Sequence, residues 1–222
     1  MGIPDFALSS HEFDLLWTDL SLGRMPDSLV VPPFGQTPDE RVLLAKEIYR
    51  ELSDRGLVDT ARRVDTRLRA LLRLLTGYRV AVDLVADIGY PVRALAATDG
   101  RAGVLATLAG GELWLTATSP AGLAAAIVDL LPAACPPIAL PSQATASRAS
   151  SASSARQSPA GHASGRFGFA TDGGRPPPAM FTWFDTESGR YLVVADKSRS
   201  CLVPAGRADI ERRITECLFP AG

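Results

Sequence analysis

The sequence predicts an α+β fold: two copies of one unit, related by a quasi-two-fold repeat, share a central antiparallel sheet with the helices on one side. Three observations carry this. First, the two halves end alike. The apolar run Leu113-Trp114-Leu115-Thr116-Ala117-Thr118-Ser119 breaks at Pro120-Ala121-Gly122, and Ser200-Cys201-Leu202-Val203 breaks at Pro204-Ala205-Gly206. Second, a helical stretch follows each break, Leu123 to Leu131 closing on Pro132-Ala133 and Ile210 to Phe219 closing on Pro220-Ala221. Third, earlier segments pair off as well: Leu29-Val30-Val31-Pro32 with Ile138-Ala139-Leu140-Pro141, and more loosely Tyr78 to Pro91 with Arg166 to Pro178. An internal repeat decides architecture ahead of any single motif. A chain of 222 residues suits two half-size units around one core. Residues 1–222 are therefore expected to form a single domain, with copy one at about 9–118 and copy two at about 119–222. The copies differ in one insertion. Between its first and second strands copy one carries about 45 residues of helical sequence, where copy two carries a Ser/Ala-rich tract in place of a second helical pair.

Taken in order, Ser9 and Glu12 form a capping box, Leu8 and Phe13 are placed for a hydrophobic staple, and Phe13, Leu16, Trp17 and Leu20 follow at helical spacing. Leu29 to Val31 reads as a short strand stopped by Pro32-Pro33. Thr37-Pro38-Asp39-Glu40 is a second capping box with proline at the first helical position, and that helix runs to about Arg55 before Gly56 ends it. A third helix, starting near Asp59 or Asp65 and ending before Gly77, presents Leu68, Leu71, Leu72 and Leu75 on one face, with Arg63, Arg67, Arg69 and Arg73 as a solvated remainder. From Tyr78 the period becomes two: Tyr78, Val80, Val82 and Leu84 alternate with Arg79, Ala81 and Asp83. Gly89-Tyr90-Pro91 predicts a bend or bulge. Val92–Ala97, Gly103–Ala109 and Glu112–Thr118 then form a meander through the hairpin signals Asp99-Gly100 and Gly110-Gly111. Ser119 or Pro120 opens the next helix, and Ile138–Leu140 is a strand. Ser142 to Ser164 holds eight Ser and seven Ala with no large apolar residue, so the linker 142–164 is expected to stay disordered. Strands at Arg166–Thr171, Ala179–Asp185, Arg190–Ala195 and Cys201–Val203 follow, with a turn at Thr186–Gly189 and a last helix over about Ala205–Leu218.

Composition narrows the function. Apolar residues at 46%, charged residues at 21% and a net charge of −1 leave no electrostatic footprint for nucleic acid or an anionic membrane. Met1 to Ser10 lacks the basic and apolar regions of a signal peptide, and the apolar stretch Ala102 to Ser119 is interrupted by Gly110, Gly111 and Glu112. A cytoplasmic chain without membrane insertion is expected. Cys135, Cys201 and Cys217 are odd in number and lack metal-site spacing, which predicts reduced core thiols and no metal. Only His11 and His162 are available for a catalytic histidine, and neither sits near a nucleophile motif. None of the phosphate-loop, dinucleotide, zinc-protease or nucleophile-elbow patterns occurs. Asp83 and Asp87 share a strand face, but alternation sets that face as the polar one. No enzyme activity and no cofactor are expected.

Glu12-Phe13-Asp14-Leu15-Leu16-Trp17, Leu22-Gly23-Arg24-Met25-Pro26, Leu29-Val30-Val31-Pro32 and Thr37-Pro38-Asp39-Glu40-Arg41 together resemble the opening of the EspG family, cytosolic chaperones of type VII (ESX) secretion in mycobacteria and related actinobacteria. Trp183-Phe184-Asp185-Thr186-Glu187-Ser188-Gly189-Arg190-Tyr191-Leu192 is similar to the family's C-terminal hairpin. The resemblance spans about 190 residues and rests on order and spacing rather than on one diagnostic motif. It implies a quasi-two-fold fold with a central antiparallel sheet and two helical bundles. It also implies a function: binding the apolar tip of a PPE protein within a PE-PPE heterodimer, keeping it soluble and marking it for export.

In the family a long loop between the second and third strands and the C-terminal bundle contribute to the partner surface. Here the matching loop is only Thr98-Asp99-Gly100-Arg101 and the second helical pair is absent. The resemblance thus implies a partner face near Thr98, Asp99, Gly100 and Arg101 and around Trp183, Phe184 and Tyr191. An outward aromatic with a polar rim is the usual form of a binding hot spot. Another helical type VII substrate, such as a WXG-type protein, and a non-enzymatic dimeric scaffold or regulatory protein that forms a homodimer through its sheet edge are the alternatives.

Overall fold

Nine strands hydrogen-bond into one antiparallel sheet in the computed structural model, which describes residues 3–133, 163–172, 180–196 and 199–220. The strands are β1 (Phe6–Ser9), β2 (Val80–Asp87), β3 (Pro91–Thr98), β4 (Gly103–Ala109), β5 (Glu112–Thr118), β6 (Ser164–Thr171), β7 (Phe181–Thr186), β8 (Gly189–Asp196) and β9 (Arg199–Pro204). Their spatial order is β1-β5-β4-β3-β2-β6-β7-β8-β9. The seam between the copies is the β2–β6 pair, in register from Val80 opposite Thr171 to Asp87 opposite Ser164. From that seam each copy runs outward as a four-strand meander and closes with a helix, β5 leading to α4 (Leu123–Val128) and β9 to α5 (Arg207–Leu218). α4 thus follows the first meander as α5 follows the second. The other helices, α1 (Ser10–Asp19), α2 (Pro38–Asp54) and α3 (Thr66–Leu74), all precede β2.

The helices lie on both sides of the sheet, which corrects the expectation of one. On the first face Leu95, Ala97, Val104, Ala106, Leu108, Leu113 and Leu115 pack against α1, α2 and α3 through Phe13, Leu16, Leu52, Leu68, Leu71 and Leu72. On the second face Val82, Leu84, Ala94, Ala96, Phe167, Phe169, Phe181, Trp183 and Leu192 pack against α4 and α5 through Leu123, Ile127, Ile210 and Ile214. The physical reason is visible in β3 and β4, where both parities are apolar: all seven residues of β4 are buried. A strand apolar on alternate residues needs one cover, and a strand apolar on every residue needs two. Each fully buried Leu or Phe in these layers contributes about 1.5–3 kcal/mol relative to exposure, so losing either cover would unfold the sheet.

The helix starts follow their local chemistry. Ser9 Oγ accepts from Glu12 N at 3.2 Å while Ser9 N donates to Glu12 Oε2 at 2.7 Å, completing the capping box of α1. Thr37 Oγ1 accepts from Glu40 N at 3.2 Å to start α2, and Gly56 leaves it at φ +70°. Asp65 starts α3, accepting from Arg67 N and Leu68 N, both at 2.9 Å, whereas Asp59 closes a separate turn by accepting from Ala61 N and Arg63 N.

Three expectations shift, and one strand is added. Leu29–Val31 is not a strand: a 3-10 turn covers Asp27–Leu29, and Leu29 and Val31 are buried as single anchors between prolines that cannot donate to a ladder. Gly89-Tyr90-Pro91 does more than bend β2, because Asp87 pairs with Pro91 and Gly89 at φ +94° closes a hairpin. Residues Pro120–Gly122 form a 3-10 turn before α4, which stops at Val128 rather than Leu131. β1 was not foreseen; it pairs with β5, and Arg55 donates to the Ala7 carbonyl and to Glu12 Oε1 (2.7 Å), covering part of that sheet edge. The strand expected at Ile138–Leu140 and the tract from Ser142 lie outside the described residues, save Ala163 and Ser164 at the start of β6. Among the described residues no helix is long and apolar enough to cross a membrane.

Candidate partner-binding surface

The β3–β4 hairpin, carrying four of the expected contact residues, is built to be rigid. Thr98 is fully buried; its Oγ1 donates to the Ala102 carbonyl at 2.6 Å and accepts from Gly100 N at 2.9 Å. Asp99 Oδ1 accepts from Arg101 N at 2.8 Å and Ala102 N at 2.9 Å, and these backbone donors, Ala102 first, hold its carboxyl below the usual range. Gly100, at φ +92°, makes the reversal. Thr98, Asp99 and Gly100 therefore shape the loop. Arg101 is the group it offers outward, exposed and without an ion pair among the described residues.

The aromatic residues of the second copy divide between the two faces. Trp183 is fully buried in the layer beneath α4 and α5. Its indole lies against Gly165, where a Cβ would come within 2.8 Å of Nε1, and the Arg190 guanidinium sits 4.6 Å from its ring. Arg190 is itself buried, paired to Asp185 at 2.6 Å and donating to the Pro132 carbonyl at 2.9 Å, so it ties the β7–β8 hairpin to the end of the α4 segment. Trp183 is thus part of the core rather than of a surface. Phe184 and Tyr191 face the other way, directly opposite one another on β7 and β8, with ring centroids 6.1 Å apart in a stacked arrangement. Tyr191 is buried and Phe184 half-buried.

These two groups do not form one patch. Thr98 pairs with Val80 at one end of β2, whereas Phe184 pairs with Ser164, which pairs with Asp87 at the other end. At about 3.3 Å per residue the ends are roughly 23 Å apart along the strands, with three strand spacings between them as well.

Between them lies a feature that sequence reasoning passed over. A cleft of about 1060 Å³ opens at the centre of the first face, where the cover of copy one ends. Its walls include Met25, Leu75, Tyr78, Val85 and Met180, and Asp83 lies on its floor. The Asp83 carboxylate sits over Gly168 on the paired strand, where any Cβ would approach Oδ1 to 2.3 Å. Desolvation pushes the Asp83 carboxyl above its usual range, opposed by the charge of Arg166 and reinforced by that of Asp27. Asp83 has no ion pair and no side-chain hydrogen bond to another residue among the described residues. Asp87, on the same strand face, is an exposed turn residue whose Oδ1 accepts from Gly89 N at 3.0 Å. The available signal was a glycine set between Phe167 and Phe169. Among the described residues no three His, Cys, Asp or Glu side chains are grouped to hold a metal ion. Cys217 is half-buried and its thiol is pushed up, first by burial.

A sequence model of the EspG family matches residues 9–216 of the chain. No curated protein matches it. Among solved structures it is similar to the Mycobacterium tuberculosis type VII secretion system chaperone EspG5, determined in complex with a PE25-PPE41 dimer, with a TM-score of 0.68 over 98% of each chain at 14% identity. At that identity the likeness is one of fold.

Proposed function

We propose that this chain, which belongs to the EspG family, is a cytoplasmic chaperone without enzymatic activity that binds PE-PPE heterodimers and keeps them soluble for type VII secretion. The observation that carries the reading is the span of the family match, residues 9–216, which takes in both copies and the seam between them. The EspG5 fold, which accommodates a PE25-PPE41 dimer, supports it. So does the first face at the seam between the copies, where the central cleft opens among the described residues. Shielding an apolar client surface needs complementary shape and a few well-placed polar groups, with no reacting centre.

The reading uses two contact points: Arg101 at the hairpin tip, and Phe184 backed by Tyr191 at the opposite end of the sheet. Trp183 contributes by holding β7 in place. Co-expression with each PE-PPE pair of the source genome tests the reading. One pair is expected to co-purify with the chain through size exclusion and to become soluble only in its presence. Failure of every pair, together with a stable dimer of the chain alone, would favour the scaffold alternative.

A further inference from the structure

We infer that the central cleft receives a basic side chain of the client, a lysine or arginine projecting from an apolar segment, with the Asp83 carboxylate as its acceptor; this rests on the chaperone reading above. The cleft has the form such a side chain requires. Its lining joins the apolar side chains Met25, Leu75, Val85 and Met180 to the polar groups Arg24, Asp27, Ser28, Thr76 and Arg166, with Asp83 among them. A lysine or arginine has the matching shape, a long aliphatic stem that packs on apolar surface and a charged head at its tip. Methionine side chains accommodate such stems with little demand on exact shape.

The groups of this chain that face Asp83 leave that role open. Arg166, on β6, lies two residues along from Gly168 and influences Asp83 by its field, but its exposed guanidinium forms no ion pair among the described residues. Arg93, on β3 of the same face, pairs across from Val85 and likewise forms none. Arg24 is bonded to Asp27 at 2.9 Å on the outer lip. The field of Asp27 adds negative charge, and Tyr78 beside it is held protonated, first by burial and then by the charge of Asp83. A half-buried carboxylate in this setting carries a desolvation cost that its own backbone N–H and the field of Arg166 offset only in part, since its pKa stays raised. Gly168 keeps the space above the strand free for that carboxylate. A residue placed for stability alone would be apolar at Asp83, as its neighbours Ala81 and Leu95 on this face are.

The test uses Asp83→Asn and Asp83→Ala in the full chain, with the co-purifying PE-PPE pair as probe. Because the folded carboxyl is raised, ionisation at pH 7 disfavours the folded state, and that penalty vanishes in either variant. Both are therefore expected to melt higher than the wild type at pH 7 and yet bind the client about ten-fold more weakly or worse. A lower melting temperature in Asp83→Asn overturns the inference, because it means the carboxylate is already bonded within the chain. Undiminished client affinity in both variants also overturns it while leaving the chaperone reading intact. A wild-type chain that captures no PE-PPE pair removes both.

Discussion

Copy one and copy two build the same meander and the same closing helix, but they present the first face of the sheet differently. In copy one, Leu68, Leu71, Leu72 and Leu75 press the α3 segment onto β3, β4 and β5, and that face is closed. In copy two the corresponding strands carry Arg166, Gly168, Phe184 and Tyr191, with no described helix above them. The difference teaches that a repeat fixes the strands while the insertion before the meander supplies the described helical cover of copy one. The second face shows no such asymmetry. There α4 and α5 pack on each other across the seam, and Arg207 reaches back to Asp129 and to the Leu131 carbonyl at 3.2 Å.

The largest expected effect comes from cutting the copies apart. Residues 133–222 alone would expose Phe167, Phe169 and Trp183, which depend on β2 and α4 for cover, and would lose the eight-residue pairing across the seam. We expect that fragment to show no cooperative thermal transition by circular dichroism, since its apolar face loses the strand and helix that cover it and too little apolar area stays buried. A sharp transition in the fragment would mean that copy two has a core of its own, and the comparison would become one of two domains.

A smaller effect separates the first face beneath α3 from the first face that has no described helix above it. Leu72→Ala, under α3, should destabilise by about 3 kcal/mol, the usual cost of a cavity in a closed layer. Phe184→Ala, on the same face of copy two, should cost about 1 kcal/mol, roughly its stacking on Tyr191. Urea titrations of the two variants compare them directly. Equal losses would show that the face of copy two is as closed as that of copy one.

How much of this was legible in the sequence depends on the range of the interaction. The capping box of Ser9 and Glu12, the start of α2 at Thr37 and the hairpin at Asp99-Gly100 were readable because each is settled within four residues. The order of copies was readable because the repeat states it twice. β1 escaped because Phe6–Ser9 is too short to show a period and owes its pairing to β5, a hundred residues away. The placement of helices on both faces was present in the unbroken apolar runs of β3 and β4, but alternation in β2 drew the reading toward one cover. Asp83 and Gly168 carry meaning only as partners across the seam, and no local pattern joins them. Trp183 and Phe184 are adjacent, and only the register of β7 against β6 and β8 decides which of them faces the core.

The smallest expected effect concerns the hairpin tip, the part of copy one that stays at the surface. Asp99 is held below the usual carboxylate range by the donors Ala102 N and Arg101 N. A carboxyl depressed in the folded state adds stability that is present above its unfolded value, near 3.8, and is lost as the pH falls through the lower folded value. The hairpin is therefore expected to keep its form at neutral and mildly acidic pH and to loosen only below that value. The amide resonances of Arg101 and Ala102, followed by NMR from pH 6 downward, should move together with the Asp99 carboxyl, while those of Thr98 and Gly103 stay in place. Asp99→Asn keeps an acceptor at the same position and should remove the pH response while preserving the turn. If the amides of Arg101 and Ala102 move instead near pH 4 or above, Asp99 is not held by them. The tip of copy one would then be an adaptable loop rather than a fixed platform for Arg101.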